Sequence, residues 1–374
     1  MQYREFGKTG LKISALGFGA MRLPSHSVED KWVINREEAI AMIHRAKELG
    51  VNYIDTAYGY HDGESEIVVG LGIKESREHW VLSTKCPIWS VKQPGDGRKY
   101  LEEQLGKLGT EYIDVYHLHG LGGDDKAKEL LEIGFFDEMK KAKEEGLIRH
   151  LSFSSHGSPE FVMSQVDTEM FSSILCQYNL LDRNYENAFE YAHTHGVGTV
   201  AMGPVAGGKL ACPTDVFEST LNTKFEGTYE IALRFVLANQ NITCALSGMS
   251  TMEQLEANVK VASIETPLTN EEIEKVAQML QESKKLSDLY CTGCNYCSGC
   301  PQGIKIAEVF KFMNYHQVFH LTEMAKREYA QIGKTEWHGK PVSDCIECGE
   351  CEKICPQNLK VIEKLKEVDR ELGA

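Results

Sequence analysis

Two clusters of cysteines near the C-terminal end have the spacing that most directly predicts chemistry. The second cluster has the CxxCxxCxxxCP pattern of a [4Fe-4S] ligand run and consists of Cys345, Cys348, Cys351 and Cys355, followed by Pro356. The first cluster is one residue shorter in its last gap and consists of Cys291, Cys294, Cys297 and Cys300, followed by Pro301. Eight of the twelve cysteines lie in these clusters. The pattern therefore predicts two [4Fe-4S] centres.

Paired runs of this kind predict crossed ligands, because the fourth cysteine typically binds the neighbouring cluster. One centre would take Cys291, Cys294, Cys297 and Cys355, and the other would take Cys300, Cys345, Cys348 and Cys351. Zinc is the alternative, since it also takes four thiolates. Zinc sites usually pair two separated CxxC hairpins, so this spacing favours iron–sulfur. The segment between the clusters has helical character and predicts a small, mainly α-helical ferredoxin-like domain.

Four other residues fall at, or just after, the ends of predicted strands: Asp55, Tyr60, Lys85 and His119. A buried lysine or aspartate is costly unless the two charges are paired. Beside a tyrosine, such a pair has a use, because the ammonium of Lys85 stabilises the phenolate of Tyr60. The phenol can then protonate a carbonyl oxygen while a hydride reaches the carbon. Asp55 would keep Lys85 charged, and His119 would orient the carbonyl.

His117 competes with His119 for the last role. Strand alternation puts both on one face, with His119 nearer the strand end and His117 one layer deeper. We therefore prefer His119 and expect His117 to be a satisfied interior histidine.

The elements that position these residues alternate between short apolar runs and segments of helical period. About eight strand–helix units precede the cysteine clusters, which is the rhythm of a (β/α)8 barrel. A doubly wound sheet is the alternative, but "GFGAMR" matches only part of the GxGxxG pattern. A small hairpin around "KTG" would close the barrel floor. We predict a barrel over residues 1–288 and an iron–sulfur domain over residues 289–374.

Composition restricts the partners and the compartment. The net charge of −15 and the pI near 5.4 argue against binding to nucleic acid or to an anionic membrane surface. No apolar run approaches the ~20 residues of a membrane span, and the start, "MQYREFGKTGLKIS", has no apolar run of signal-peptide length. These features predict a cytoplasmic protein. In that compartment the scattered Cys86, Cys176, Cys212 and Cys244 are expected to be buried hydrophobic residues.

Several motifs in a fixed order resemble the aldo-keto reductase family: "FGKTGLKISALGFGAMR", "DTAYGYHDGESE", "STK", "YIDVYHLH", "QYNLLDR", "GPVAGGKL" and "SGMSTMEQLEANV". With the cysteine clusters added, the chain is similar to the ferredoxin-fused branch of that family. The resemblance implies a TIM barrel, a nicotinamide cofactor, preferably NADP, lying across its mouth, and the catalytic tetrad named above. The cofactor-binding positions that it implies are Gly19, Met21, Ser154, Ser155, Met202, Gly203, Val205, Gly248, Ser250, Gln254 and Asn258.

The implied cofactor pocket departs from the family pattern. The carboxamide partners fall on Ser154, Ser155 and Leu175, of which only the first matches. Met202 stands where an aromatic ring usually stacks, and Gln254 stands where arginine is frequent, so the preference between NADP(H) and NAD(H) stays open. His156, after a strand end, is a candidate for either the substrate pocket or a loop cap.

Three functions are compatible with these patterns. In the first, the barrel reduces an aldehyde or ketone with NAD(P)H, and the clusters transfer electrons or have a structural role. In the second, a ferredoxin-like protein or a sister subunit feeds electrons through the clusters to a flavin or substrate in the barrel. Such an acceptor is invoked because a hydride carries two electrons, whereas a cluster passes one at a time, so nicotinamide alone couples poorly to the clusters. In the third, the protein is a non-catalytic electron-transfer module, which a retained lysine–aspartate pair argues against.

Overall fold

The computed structural model describes residues 1–28, 31–211, 220–221, 225–265, 268–269, 271–276, 278–279, 296–317, 319–335, 338–355 and 358–373. The chain forms two compact units, of which the first comprises residues 1–207 with 232–268 and the second residues 208–231 with 269–374. The predicted boundary near residue 288 lies outside the described residues and stays a prediction.

The strands, in chain order, are β1 (Tyr3–Glu5), β2 (Lys12–Ser14), β3 (Leu16–Gly19), β4 (Ser25–Val28), β5 (Lys31–Ile34), β6 (Tyr53–Asp55), β7 (Val81–Cys86), β8 (Ile113–Leu118), β9 (Ile148–Ser155), β10 (Ser173–Gln177), β11 (Gly198–Met202) and β12 (Cys244–Gly248). Eight of them form a closed parallel barrel in the order β3-β6-β7-β8-β9-β10-β11-β12. The prediction of a (β/α)8 barrel is confirmed, and the doubly wound alternative is wrong, because β12 pairs with β3 and leaves no sheet edge.

The principal helices of the first unit are α1 (Arg36–Glu48), α2 (Glu64–Ile73), α3 (Asp96–Leu108), α4 (Asp124–Glu132), α5 (Phe135–Glu144), α6 (Pro159–Asp167), α7 (Glu186–Thr194), α8 (Thr228–Ala238) and α9 (Met252–Ala262), with the first residues of α8 assigned to the second unit. Their starts follow local chemistry. The side chain of Ser158 accepts a hydrogen bond from the Phe161 amide at the start of α6, and Thr251 does the same for Gln254 at the start of α9. These caps fix where the helices leave the barrel mouth.

The floor of the barrel is closed by the antiparallel hairpin β1–β2, as the sequence predicts. Phe6 and Ile13 are fully buried and belong to the same apolar cluster as Tyr53, Val115 and Val200 from the barrel strands. The interior at this end is therefore a packed core.

The second unit contains helices α10 (Ile306–Gln317), α11 (Thr322–Tyr329), α12 (Glu350–Lys353) and α13 (Val361–Leu372). The longer ones bury one apolar face each, with Phe310, Met324 and Leu365 nearly inaccessible to solvent. The helical character predicted for the C-terminal domain is confirmed.

Candidate active site and iron–sulfur site

A buried ion pair lies at the mouth of the barrel. Asp55 ends β6, Lys85 is the penultimate residue of β7, and both side chains are only 2% exposed. The Lys85 ammonium donates to Asp55 Oδ1 and, over 2.7 Å, to the Thr56 carbonyl oxygen. Ser83 Oγ donates to the other carboxylate oxygen over 2.7 Å. The pair therefore has the additional hydrogen bonds that a buried ion pair needs.

The electrostatics of this pair keep the lysine charged. Burial favours the neutral amine, but Asp55 and the Tyr60 phenol oppose it and raise the pKa of Lys85 above its ordinary value. Burial raises the pKa of Asp55, and its contacts with Lys85 and Ser83 counteract part of that effect. The mouth of the barrel thus holds a permanent ammonium at neutral pH.

Tyr60 and His119 complete the group that the sequence predicts. The Lys85 Nζ atom lies 4.8 Å from the centroid of the Tyr60 ring. The rings of Tyr60 and His119 meet edge to face with centroids 5.9 Å apart, and Trp89 lies on His119 at 5.0 Å. All four predicted residues are therefore close together, which is the arrangement that proton donation to a substrate carbonyl requires.

His119 is a neutral imidazole in this setting. Burial, the Lys85 ammonium and His156 lower the pKa of His119 to about 3. Its Nδ1 atom is buried and has no hydrogen-bonding partner. A neutral ring of this kind can donate one hydrogen bond to a carbonyl oxygen without competing for the proton that Tyr60 carries.

His117 lies deeper in the barrel, as expected, and its side chain is fully buried. That it is a satisfied interior histidine stays a prediction. Burial and the nearby Lys85 hold the pKa of His117 well below its ordinary range. Strand pairing explains the proximity, because Lys85 and His117 are register partners on β7 and β8.

Two of the serines implied by the resemblance are already engaged in loop hydrogen bonds. Ser154 Oγ accepts from the Gly120 amide over 2.9 Å, and Ser155 Oγ donates to the Leu121 carbonyl over 2.7 Å. Leu175 is buried in the barrel core. Gln177, two residues later on the same face of β10, carries the amide that reaches the mouth, where it donates to Asp182 over 2.9 Å. The sequence analysis did not select Gln177, although strand alternation identifies it.

The remaining predicted cofactor positions line the strand ends on the far side of the mouth. Met202 ends β11, pairs in register with Gln177 and is half-buried; Gly203 and Val205 follow it. Gln254 Oε1 accepts from the Ser250 amide over 2.8 Å, and Asn258 donates to Ser247 over 3.1 Å. These two side chains therefore brace the loop that joins β12 to α9.

Arg22 supplies a cation at this loop, and the sequence analysis did not single it out. Its aliphatic carbons would lie 3.2–3.3 Å from a Cβ at Gly248, and its Nη2 atom 3.3 Å from one at Gly207. Ser250 Oγ donates to the Arg22 carbonyl over 2.9 Å, while Met21 beside it is 59% exposed. Arg22 thus spans the segments after the seventh and eighth barrel strands, where barrel enzymes often bind phosphate.

In the second unit, one cavity is lined by cysteines of both runs: Cys297, Cys300, Cys345, Cys348 and Cys351. The rest of its lining is largely apolar and includes Ile304, Ile306 and Leu365. The backbone of Glu347 and Gly349 takes positive φ values, so the chain turns back between successive cysteines. Several thiolates around an apolar hollow suit an iron–sulfur cluster. Cys291 and Cys294 lie outside the described residues.

A closed parallel barrel with a lysine–aspartate pair, a tyrosine and a histidine at its mouth defines a barrel oxidoreductase. The family model described as the aldo/keto reductase family matches residues 15–281, and the one described as a 4Fe-4S dicluster domain matches residues 290–359. The chain belongs to the aldo/keto reductase family and carries a 4Fe-4S dicluster domain after the barrel. The resemblance drawn from the motifs is confirmed.

Individual relatives agree with this assignment. The chain is 31% identical over 323 residues to the uncharacterized oxidoreductase YqkF of Bacillus subtilis, covering 78% of this chain and 98% of that protein. It is 28% identical to L-galactose dehydrogenase of Arabidopsis thaliana, covering 77% and 97%. Aldo-keto reductase AKR11C1 from Bacillus halodurans, in its holo form, superimposes with a TM-score of 0.64 at 28% identity, covering 74% and 96%.

The protein is thus an oxidoreductase by family. Within the part of the chain that the structure describes, no helix is both long and apolar enough to cross a bilayer.

Proposed function

We propose that the barrel reduces the carbonyl group of an aldehyde or ketone with NAD(P)H. The observation that carries this proposal is the Lys85 ammonium, which is buried against Asp55 and lies 4.8 Å from the centroid of the Tyr60 ring, while the His119 ring meets the Tyr60 ring edge to face. A desolvated ion pair beside a phenol at a barrel mouth is the kind of perturbed group that clusters at functional sites.

Each residue has a defined task. Tyr60 donates its proton to the carbonyl oxygen, and Lys85 stabilises the phenolate that remains. Asp55 holds Lys85 charged and oriented, and the neutral His119 ring donates a hydrogen bond that fixes the carbonyl against Tyr60. A nicotinamide, when bound, supplies the hydride. Gln177, Met202 and Ser154 would flank it, and Arg22 would hold a phosphate of the dinucleotide.

The two cysteine runs would hold two [4Fe-4S] clusters in the crossed arrangement. In support, one cavity is lined by cysteines of both runs, Cys297 and Cys300 from the first and Cys345, Cys348 and Cys351 from the second, so the two runs lie close together as a crossed arrangement requires. One ligand set of that arrangement is Cys291, Cys294, Cys297 and Cys355, of which the first two lie outside the described residues. We propose that these clusters exchange single electrons with a partner protein of ferredoxin type or with a sister subunit.

The direct test is an anaerobic assay of NADPH oxidation against a panel of aldehydes and ketones, with Tyr60→Phe in parallel. Turnover by the wild type and its loss in the variant support carbonyl reduction. Turnover that persists in Tyr60→Phe contradicts the assignment, because that side chain can no longer give up a proton.

A second candidate is a ferredoxin-coupled enzyme in which the clusters deliver electrons to a flavin or substrate in the barrel. The observation in its favour is the unusual set of residues at the predicted nicotinamide positions. The Ser155 hydroxyl donates a hydrogen bond to the Leu121 carbonyl, and Leu175 is buried in the core. Anaerobic titration with NADPH, followed by absorbance and electron paramagnetic resonance, separates the two functions. Reduction of the clusters together with a bound flavin favours the second candidate. A flavin-free protein that turns over with NADPH alone excludes it.

A further inference from the structure

The segment that carries Tyr60 is followed by an unusual turn. Three successive residues, His61, Asp62 and Gly63, have φ values of 51°, 54° and 89°. Only glycine adopts this left-handed region without steric cost, so His61 and Asp62 are held there by their surroundings. Helix α2 begins immediately afterwards, at Glu64. Whatever anchors the start of α2 therefore also fixes the far end of the Tyr60 turn.

Glu66 provides that anchor. Its carboxylate is fully buried in the first turn of α2. Oε1 accepts hydrogen bonds from Thr84 Oγ1 over 2.7 Å and from Gln104 Nε2 over 2.6 Å. Thr84 immediately precedes the lysine of the tetrad on β7, and Gln104 Nε2 lies 3.1 Å from the Lys85 carbonyl oxygen. The carboxylate is thereby joined to the strand end that carries the ammonium.

The second oxygen of Glu66 faces a cation below the turn. Lys107 Nζ lies 3.4 Å from Glu66 Oε2 and 3.8 Å from the centroid of the Tyr58 ring. The same ammonium would lie 3.3 Å from a Cβ at Gly63, so it supports the turn from beneath. One buried carboxylate thus contacts both the strand of Lys85 and the support of the Tyr60 loop.

We propose that Glu66 is a positioning residue for proton transfer: through Thr84, Gln104 and Lys107 it fixes the distance between the Tyr60 phenol and the Lys85 ammonium. Ordinary packing would keep α2 against the barrel without a charged group, and burying a carboxylate is costly. An ionic anchor is useful here because it is directional and holds two separate backbone segments in one register. The expected change in kcat rests on the proposed carbonyl reduction. The expected change in how the Tyr60 turn is held does not.

The test uses Glu66→Gln in the full-length protein with its clusters intact. Glutamine keeps the size of the side chain, but it removes the charge that attracts Lys107 and orients Gln104. We expect kcat for carbonyl reduction to fall about 10- to 100-fold, with KM and the dissociation constant of NADPH changed less than about twofold. The matched control is Glu64→Gln, two residues earlier on the same helix, where the carboxylate pairs with the exposed Arg36. That variant should retain wild-type kcat.

A second readout does not depend on turnover. Hydrogen–deuterium exchange of the backbone amides of residues 60–64, followed by mass spectrometry, reports how tightly the Tyr60 turn is held. In Glu66→Gln these amides should exchange faster than in the wild type and in Glu64→Gln, because the anchor of the turn is weakened. If the wild type reduces no carbonyl but Glu66→Gln shows this faster exchange, the proposed function fails and the positioning role stands.

The result that overturns the inference is a folded Glu66→Gln protein whose amide exchange at residues 60–64 and kcat both match the wild type. Should Glu66→Gln fail to fold, Lys107→Met provides the second variant, because that side chain is 25% exposed and its loss leaves the contacts of Glu66 with Thr84 and Gln104 in place. It should show the same faster amide exchange to a smaller extent, and unchanged exchange there counts equally against the proposal.

Discussion

The Lys85 ammonium lies 4.8 Å from the centroid of the Tyr60 ring while it donates to Asp55 and to the Thr56 carbonyl. This relationship makes Tyr60→Phe the sharpest single substitution. Carbonyl reduction should fall by roughly 10²- to 10⁴-fold, since the variant has lost its proton donor. The absorbance of the clusters should be unchanged. Tyr191→Phe, which removes an exposed hydroxyl from α7, is the control and should keep full activity. Equal effects of the two variants would contradict the assignment.

The buried pair also predicts a stability effect. Lys85→Met leaves Asp55 buried without its partner and should lower the free energy of unfolding of the barrel by about 3–5 kcal/mol. Adding Asp55→Leu to Lys85→Met should recover part of that loss, because no uncompensated charge then remains. Denaturant titration measures both. If the losses in unfolding free energy from the two substitutions simply add, the two side chains do not interact. The double variant should remain inactive in either case.

His117 predicts how the stability of the barrel depends on pH. Its pKa is lowered in the folded protein, so the unfolded chain binds a proton first as the pH falls. The stabilisation from His117 is complete above about pH 6.5 and is lost at lower pH, by about 1.4 kcal/mol per pH unit. His117→Leu should remove this component. The unfolding midpoints of the two proteins are compared between about pH 7.5 and about pH 5, and parallel slopes would refute the prediction.

Arg22 predicts how the dinucleotide is held. Arg22→Gln should raise the dissociation constant of NADPH by roughly 10- to 100-fold through the loss of charge-assisted hydrogen bonds. NADH binding should weaken equally if the guanidinium contacts the pyrophosphate, and should be unaffected if it contacts the 2′-phosphate. Arg98→Gln, in an exposed pair with Glu102 on α3, is the control. Fluorescence titration measures all three proteins, and unchanged affinity for both nucleotides would remove Arg22 from the site.

The cysteine-lined cavity predicts the result of replacing one ligand. Cys348→Ser should reduce the iron content from about eight to about four atoms per chain, because it removes a thiolate from one cluster only. Cys176→Ala, a buried thiol on β10, should keep the full content. Iron analysis and electron paramagnetic resonance after anaerobic purification measure the change. A full complement of iron in Cys348→Ser would contradict the ligand assignment.

The eight barrel strands could be predicted because each is a short apolar run between turn residues. This pattern is local and can be read from neighbouring residues without knowing the tertiary contacts. The same holds for the cysteine runs and for the tetrad, whose members follow strand ends. The hairpin β4–β5 and the short helix α4 were not predicted. The polar segment of α4, "DDKAKELLE", buries only Leu130, so its periodicity is weak.

Residues whose role depends on a distant partner were harder to find. Arg22 acquires its position from Gly207 and Gly248, which are far away in the chain. Glu66 belongs to a motif that the sequence analysis quoted, but its importance comes from Thr84 and Gln104 on other elements. Leu175 was matched to a carboxamide position by motif, but it is buried in the core, and the side-chain amide near this strand end belongs to Gln177.

The hairpin that seals the barrel floor with Phe6 and Ile13 leaves the opposite end as the route by which molecules reach Lys85. Under the proposed function, substrate and product both pass the exposed Trp89, whose ring centroid lies 5.0 Å from that of His119. A compound that lodges over Trp89 would obstruct arrival and departure alike, so its inhibition should not be relieved completely by raising the concentration of a single reactant.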